Sequence, residues 1–108
     1  MGKFLLSKRT NGEHQFNLLA DNSEIILTSE GYTSRSACEN GIASVKENAT
    51  RDEAYDRKTS SNGKAYFNLK AKNSQVIGTS QMYESTSSME KGIQSVMSNA
   101  PKAIVQEA

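Results

Sequence analysis

Residues with catalytic potential are few in this chain of 108 residues. His14 is the only histidine and Cys38 the only cysteine, so no group of metal ligands has a recognisable spacing. A cysteine nucleophile would also need a nearby base, and His14 is the only imidazole. We therefore predict that His14 is a partly exposed strand residue. Cys38 falls on the apolar stripe of a predicted helix, and we expect it to pack in the core.

Two glutamates, Glu39 and Glu90, recur at equivalent places and suggest paired carboxylates. Each follows a serine by three residues, the spacing of a helix capping box. The two serines are Ser36 and Ser87. We favour the capping interpretation, and Ser34 is an equal candidate for the first cap.

An enzyme would need a concave site between the two halves of the chain, lined by Glu39, Glu90 and His14. No nucleophile elbow and no phosphate-binding glycine loop is present in the sequence. We therefore predict a protein that is not an enzyme, with no catalytic residue, no metal and no cofactor.

The best binding candidate is one face of a predicted sheet. Alternating strand residues place Asn17, Tyr66, Asn68 and Lys70 on the face opposite the predicted helices. A sheet with aromatic and basic side chains is typical of single-strand RNA platforms, where bases stack on the rings. Here the face offers one aromatic residue, and the formal net charge is only +1. The structural alternative is an ordinary solvated sheet face.

A tandem duplication supplies the elements that position these residues. Residues 16–29 read FNLLADNSEIILTS and residues 67–80 read FNLKAKNSQVIGTS. With a constant offset of 51, residues 11–49 and 62–100 share 21 identities in 39 positions. Two copies are too few for a solenoid and fit a pseudo-two-fold assembly. We predict one domain, residues 1–108, built from repeats 1–51 and 52–108.

Each repeat is predicted to contain three strands and a helix. In the first repeat the strands span 3–8, 14–20 and 24–29 and the helix about 34–48. In the second they lie near 54–59, 65–71 and 75–80, with a helix at about 85–98 and a short last strand at 103–105. Asn11-Gly12 and Asn62-Gly63 are strong hairpin signals. The pattern predicts an α+β fold with two β-β-β-α(-β) units, in which two helices pack on an antiparallel sheet. Gly41 and Gly92 indicate a close approach of helix backbone to the sheet.

Several motifs resemble the YegP-like family of small bacterial and archaeal proteins. They are NGK at 62–64, YFNLKA at 66–71, VIGTS at 76–80, KGIQSV at 91–96 and NAP at 99–101. The first half departs from this pattern, since Leu27 stands at the Gly78 position and Thr50 at the Pro101 position. The resemblance implies two β-β-β-α-β units that share one sheet and exchange their last strands. Single-unit members resemble obligate homodimers of the same design. The resemblance supplies no catalytic or binding residues.

The remaining expectations concern location and partners. The N-terminal segment MGKFLLSKR has an apolar run of three residues, too short for a signal peptide, and no stretch approaches the ~20 apolar residues of a membrane span. We therefore expect a cytoplasmic binding or interaction module without membrane contact, whose partner is a protein or small ligand. The alternative function is single-stranded nucleic-acid binding through the sheet face. We expect a monomer, because the two repeats mimic a dimer.

Overall fold

Each half of the chain folds into three adjacent strands followed by a helix. The computed structural model describes residues 2–108. The first half contains β1 (Lys3–Lys8), β2 (His14–Leu19), β3 (Ile25–Thr28) and α1 (Arg35–Asn48); the second contains β4 (Tyr55–Thr59), β5 (Ala65–Lys70), β6 (Val76–Thr79) and α2 (Thr86–Asn99), and β7 (Ile104–Glu107) follows. Short 3-10 turns at Asp52–Ala54 and Ala100–Lys102 lead from each helix into the next strand.

The turns follow from their residue types. Gly12 and Gly63 take φ of +88° and +84° in the two Asn-Gly turns, which a glycine adopts without steric cost. In the next turn of the first half the left-handed residue is Ser23, with φ of 68°. Asn22 supports it by accepting a hydrogen bond from the Glu24 amide at 3.1 Å.

One seven-stranded sheet runs through both halves in the order β4-β5-β6-β3-β2-β1-β7. The halves meet where β3 and β6 pair antiparallel, with Thr28 opposite Thr79. β4 follows α1 but pairs with β5, and β7 follows α2 but pairs with β1. The exchange of last strands is therefore confirmed. The sheet is antiparallel as predicted except at one edge, where β7 lies parallel to β1.

Both helices pack against one face of the sheet and share one core. Phe16 and Phe67 are fully buried there, and each meets a second aromatic ring edge-on, Phe4 at 5.6 Å and Tyr55 at 5.5 Å. α1 also contacts strands β5 and β6 of the second half, and α2 contacts β3 of the first. Burying such a side chain stabilises the fold by about 1.5–3 kcal/mol, so the merged core binds the halves together.

The helix caps differ from the favoured prediction. Ser34 and Ser85 are the N-caps, and their hydroxyls accept hydrogen bonds from the amides of Ala37 and Ser88 at 3.0 Å. Ser36 and Ser87 lie inside the helices, so Glu39 and Glu90 are not members of capping boxes. The alternative that names Ser34 is correct.

The helix glycines make room for a tyrosine that bridges to the sheet. A Cβ added to Gly41 would collide with the phenol of Tyr32, and one added to Gly92 would collide with the phenol of Tyr83. The predicted close approach of helix backbone and sheet is therefore present, and at Gly41 it also involves Phe16 of β2, 3.2 Å from the added Cβ. Each tyrosine follows the third strand of its half, and its backbone bridges to the start of the second strand, at His14 or Ala65.

At the pseudo-two-fold axis, one repeat has a leucine where the other has a glycine. Leu27 and Gly78 are equivalent positions on β3 and β6. Leu27 is fully buried, and a Cβ at Gly78 would lie 2.6 Å from its Cγ. The axis therefore has space for only one of the two side chains, which explains why the halves differ there.

Candidate functional site

The sheet face opposite the two helices carries a polar row that crosses every strand. We call this surface the helix-free face, since no helix of residues 2–108 packs on it. Strand register places seven residues side by side in the order Asp56, Asn68, Thr79, Thr28, Asn17, Leu5 and Gln106. The central four are symmetric about the axis, and all four are half-buried. Such a row presents amide and hydroxyl groups to a ligand.

All four predicted binding residues lie on the helix-free face. Tyr66, Asn68 and Lys70 follow one another along β5, whereas Asn17 lies on β2. Two strands separate β2 from β5, a distance of about 14 Å at the usual strand spacing. The four residues therefore mark a broad surface and do not converge on one point. Asn68 is also engaged within the sheet, since its Oδ1 accepts a 2.8 Å hydrogen bond from Thr79.

The two halves of the face have different chemistry. In the first half, Ile25, Leu19, Lys3 and Ile104 are successive neighbours across four strands, and Leu5 lies beside them. Ile25 and Ile104 expose 45% and 56% of their surface, whereas Leu19 is buried. Apart from the charge of Lys3 this region is therefore apolar, and its accessible apolar side chains are the two isoleucines. A bulge after Leu18 turns Ile25 onto this face, while the next two residues of β3 stay in the core.

The second half of the face is charged but internally paired. Asp56 lies opposite Asn68, and its carboxylate is 3.1 Å from the ammonium of Lys70 and 3.5 Å from that of Lys58. The hydrogen bond from Lys70 is the main cause that lowers the pKa of Asp56, and the charges of both lysines act in the same direction. The ammonium of Lys64 likewise pairs with Glu84 at 2.7 Å. Lys58, Lys64 and Lys70 are therefore partly neutralised before any ligand arrives.

The residues with catalytic potential do not come together. Cys38 is fully buried, and burial first, then the charge of Glu39, raises the pKa of its thiol, which favours the unreactive protonated form. Glu39 pairs with Arg35 at 3.3 Å, and Glu90 pairs with Arg57 at 2.6 Å. Both carboxylates thus have structural partners.

His14 lies in a separate small cavity. It lines a depression of about 180 Å³ together with Arg35 and Glu107, which form an ion pair with each other. Neither Glu39 nor Glu90 lines this depression. Among residues 2–108 no group of three or more His, Cys, Asp or Glu side chains could hold a metal ion. The concave site that an enzyme would need is therefore not formed by Glu39, Glu90 and His14.

A larger concavity lies between the halves, and sequence reasoning missed it. We call it the seam groove: a cleft of about 430 Å³ between the β2–β3 turn and one side of α2. Its polar lining includes Glu24, Tyr83, Ser88, Lys91, Ser95 and Asn99. The α2 members are spaced by three or four residues and so share one helix face. The available signal was the recurrence of Tyr, Gly, Ser and Asn at equivalent positions in both repeats, since these flank the groove.

The comparison with known proteins identifies the family. The family model described as "Domain of unknown function (DUF1508)" matches the chain twice, over residues 10–56 and 60–107. The chain belongs to the DUF1508 family. The DUF1508 relative from Escherichia coli K12, UPF0339 protein YegP, is 52% identical over 106 residues, covering 98% of this chain and 96% of YegP. A UPF0339 protein from Acinetobacter baylyi is 50% identical over the same shares of the two chains. The predicted YegP-like membership is confirmed.

Two solved DUF1508 structures share the fold. The solution NMR structure of E. coli yegP superposes with a TM-score of 0.94 at 52% identity and covers 98% of this chain and 91% of its own. That of the UPF0339 protein from Shewanella oneidensis gives 0.93 at 47% identity, with coverage of 98% and 90%. The family and the E. coli protein are described as being of unknown function, so the DUF1508 likeness supplies a fold and no activity.

The helices are short relative to a bilayer. Each spans 14 residues, and no helix in residues 2–108 has the length and apolar character needed to cross a membrane.

Proposed function

We propose that this protein is a non-enzymatic interaction module that binds a partner protein through its helix-free face. The observation that carries the proposal is the division of that face into an accessible apolar half and a charged half whose ions are already paired. Protein interfaces combine these features, with apolar side chains at the centre and hydrogen-bonding groups around them. The polar row of Asn17 and Asn68 supplies those hydrogen-bonding groups.

The same chemistry favours a protein over nucleic acid. Phosphate binding depends on cations that release counterions when they meet the backbone of the nucleic acid. Lys58 and Lys70 share the carboxylate of Asp56, and the chain has a formal net charge of +1. Tyr66 is a single half-buried ring, whereas single-strand platforms stack two or three bases. Nucleic-acid binding therefore stays the second hypothesis.

Three further parts of the proposal follow from the same features. The protein acts without catalysis, since its thiol is buried and its recurrent glutamates bind arginines. It is a monomer, because the second repeat occupies the place that a second subunit would take. It works in the cytoplasm, where a lone reduced cysteine such as Cys38 is common.

The test compares the helix-free face with the exposed surface of α2. A photo-crosslinking amino acid at Asn17 captures the partner in cells, and the same group at the exposed Gln94 of α2 is the control. The captured protein is then purified and titrated into labelled chain while backbone shifts are recorded. We expect shifts along β2 and β5. Ile25→Lys should weaken binding roughly ten-fold or more, because it places a charge in the apolar half at a side chain that is 45% exposed.

Two results would contradict the proposal. Shifts confined to the helices would place the interface on the other side of the molecule. Saturable binding of short single-stranded RNA or DNA that fades steeply as salt rises would establish the nucleic-acid alternative instead.

A further inference from the structure

We propose that the seam groove binds a small zwitterion, a molecule of the amino-acid kind with a carboxylate at one end and an ammonium at the other. The groove is separate from the helix-free face, because its walls are the side of α2 and the β2–β3 turn. Its volume of about 430 Å³ falls within the usual range of small-molecule sites, about 300–1,000 Å³.

Opposite charges stand on the two walls of the groove. Lys91 projects from α2, and Glu24 lies on the turn of the first half. Neither forms an ion pair with any other side chain of the described chain, residues 2–108. Both charges are exposed, so each is available to a ligand that carries the complementary charge.

Hydrogen-bond donors accompany the lysine on its wall. Ser88 accepts a hydrogen bond from the Ser85 hydroxyl at 3.0 Å, and Ser95 accepts one from the Asn99 amide at 3.1 Å. Since each of these hydroxyls already accepts, its own proton is free to be donated into the groove. A cation beside two hydroxyl donors is suited to a carboxylate.

The opposite wall is suited to a cation. Glu24 and Tyr83 line the same cleft. Burial is the main cause that raises the pKa of the Tyr83 phenol; a hydrogen bond with Gln81 lowers it, and the charge of Glu24 raises it. Tyr83 therefore stays neutral over the physiological range and offers its ring and hydroxyl beside a negative charge. An ammonium group there would meet the Glu24 carboxylate and the phenol oxygen of Tyr83, which can accept a hydrogen bond.

The equivalent positions in the other repeat argue that the two charges belong together. Lys91 corresponds to Asn40 and Glu24 corresponds to Gln75, so the equivalent positions carry neither charge. Ser88 likewise corresponds to Ala37. The residues with packing roles, Gly92 and Tyr83, have identical counterparts, Gly41 and Tyr32. The polar specialisation therefore concerns one groove and leaves the fold unchanged.

The experiment uses zwitterions of increasing length as a ruler for the spacing of the two charges. Glycine, β-alanine, 4-aminobutyrate, 6-aminohexanoate and glycylglycine are titrated into the labelled full chain up to about 10 mM, a range that detects even weak binding. Each is matched by its N-acetylated and its C-amidated form, which lack one charge. We expect saturable shifts at Ser88, Lys91, Ser95 and residues 21–24 for at least one length, and roughly ten-fold weaker binding of both capped forms.

Two variants test the residues, and they use the other repeat as a guide. Lys91→Asn and Glu24→Gln install the side chains found at positions 40 and 75, so neither should disturb folding. Each should weaken the best ligand roughly ten-fold. Asn68→Ala, on the helix-free face, should leave this affinity unchanged, which separates the present inference from the proposed interaction function.

Either of two results overturns the inference. The first is the absence of saturable shifts for all five zwitterions. The second is equal binding of a zwitterion and its N-acetylated form, because the groove would then recognise a simple anion.

Discussion

Phe16 and Phe67 occupy equivalent places in the two halves, and each is fully buried against the edge of a second aromatic ring. Leu19 and Lys70 are also equivalent, but one is aliphatic and the other pairs with Asp56. The first pair faces the helices and the second faces away from them. On the helix side each half must fit against the other, so a change in one half requires a change in its counterpart. On the helix-free face no helix constrains the side chains, so Lys70 is half-buried and carries a charge, whereas Leu19 is buried among its strand neighbours.

The pair at the axis gives the sharpest test of this shared packing. Leu27→Ala should lower the free energy of unfolding by about 2–5 kcal/mol, because it leaves a cavity in the core. Gly78→Ala alone should cost about 1–3 kcal/mol, because its Cβ would lie 2.6 Å from Leu27 Cγ. Urea unfolding followed by circular dichroism measures both.

The double variant decides whether the two positions share one space. Leu27→Ala with Gly78→Ala should cost less than the sum of the single variants, by about 0.5–3 kcal/mol. Leu6→Ala combined with Gly78→Ala is the control, because β1 lies three strands away from β6. Strict additivity in the axis pair itself would refute the shared space.

The buried serines should respond alike in both halves. The Ser29 hydroxyl accepts a hydrogen bond from the Phe16 amide at 2.9 Å, and the Ser80 hydroxyl accepts one from the Phe67 amide at 3.0 Å. Alanine at either serine leaves that amide without the acceptor, so each variant should lose about 1–3 kcal/mol of stability. Denaturing the two variants in parallel compares their free energies of unfolding. A difference above roughly 1 kcal/mol would mean that the halves are not equivalent in their interior.

The helix glycines should respond unequally. Gly41→Ala should cost about 1–2 kcal/mol net of the gain in helix propensity, because Tyr32 is held in place by stacking on Phe16 at 6.3 Å. Gly92→Ala should cost less, because Tyr83 lines the seam groove and has space to move. Thermal melting of the two variants ranks their losses of stability. Equal losses would show that the groove gives Tyr83 no freedom.

The smallest effect is expected from the charge that only the second half carries. Since the pKa of Asp56 is lowered in the folded protein, its contribution to stability is full above the ordinary aspartate pKa of about 4 and is lost as pH falls through the lowered value. Asp56→Asn should therefore cost less than about 1 kcal/mol at pH 7, because the ion pairs are partly exposed. Below the folded pKa the variant and the parent should unfold alike. A penalty that persists there would assign the effect to packing.

Much of the fold was predictable because its signals are local. The Asn-Gly turns, the alternation along β2 and β5, and the stripe of Ile42 and Val45 each depend on neighbouring residues. The parallel partner of β7 was not predictable, because the β7 sequence IVQE contains no signal that specifies which distant strand it pairs with. The cap at Ser34 depends on where Tyr32 leaves the sheet, which is a tertiary contact.

The surfaces were predictable to different degrees. The helix-free face followed from strand alternation, so all four candidate residues were placed on it correctly. The seam groove was missed because Ser88, Lys91 and Ser95 look like an ordinary solvated side of a helix. Only the turn from the other repeat, with Glu24, converts that side into the wall of a cavity.

The parallel pairing of β1 with β7 has a consequence for biosynthesis. Residues 104–107 are translated about a hundred residues after β1, a delay of roughly 5–20 s at ordinary elongation rates. During that interval β2 can cover one edge of β1, while the groups that later bond to β7 have no strand of their own chain to meet. An uncovered edge is a template for a neighbouring nascent chain. The free edge of β1 can pair wrongly with a neighbouring nascent chain on a polysome. That risk therefore ends once Ile104–Glu107 have been translated and have paired with β1.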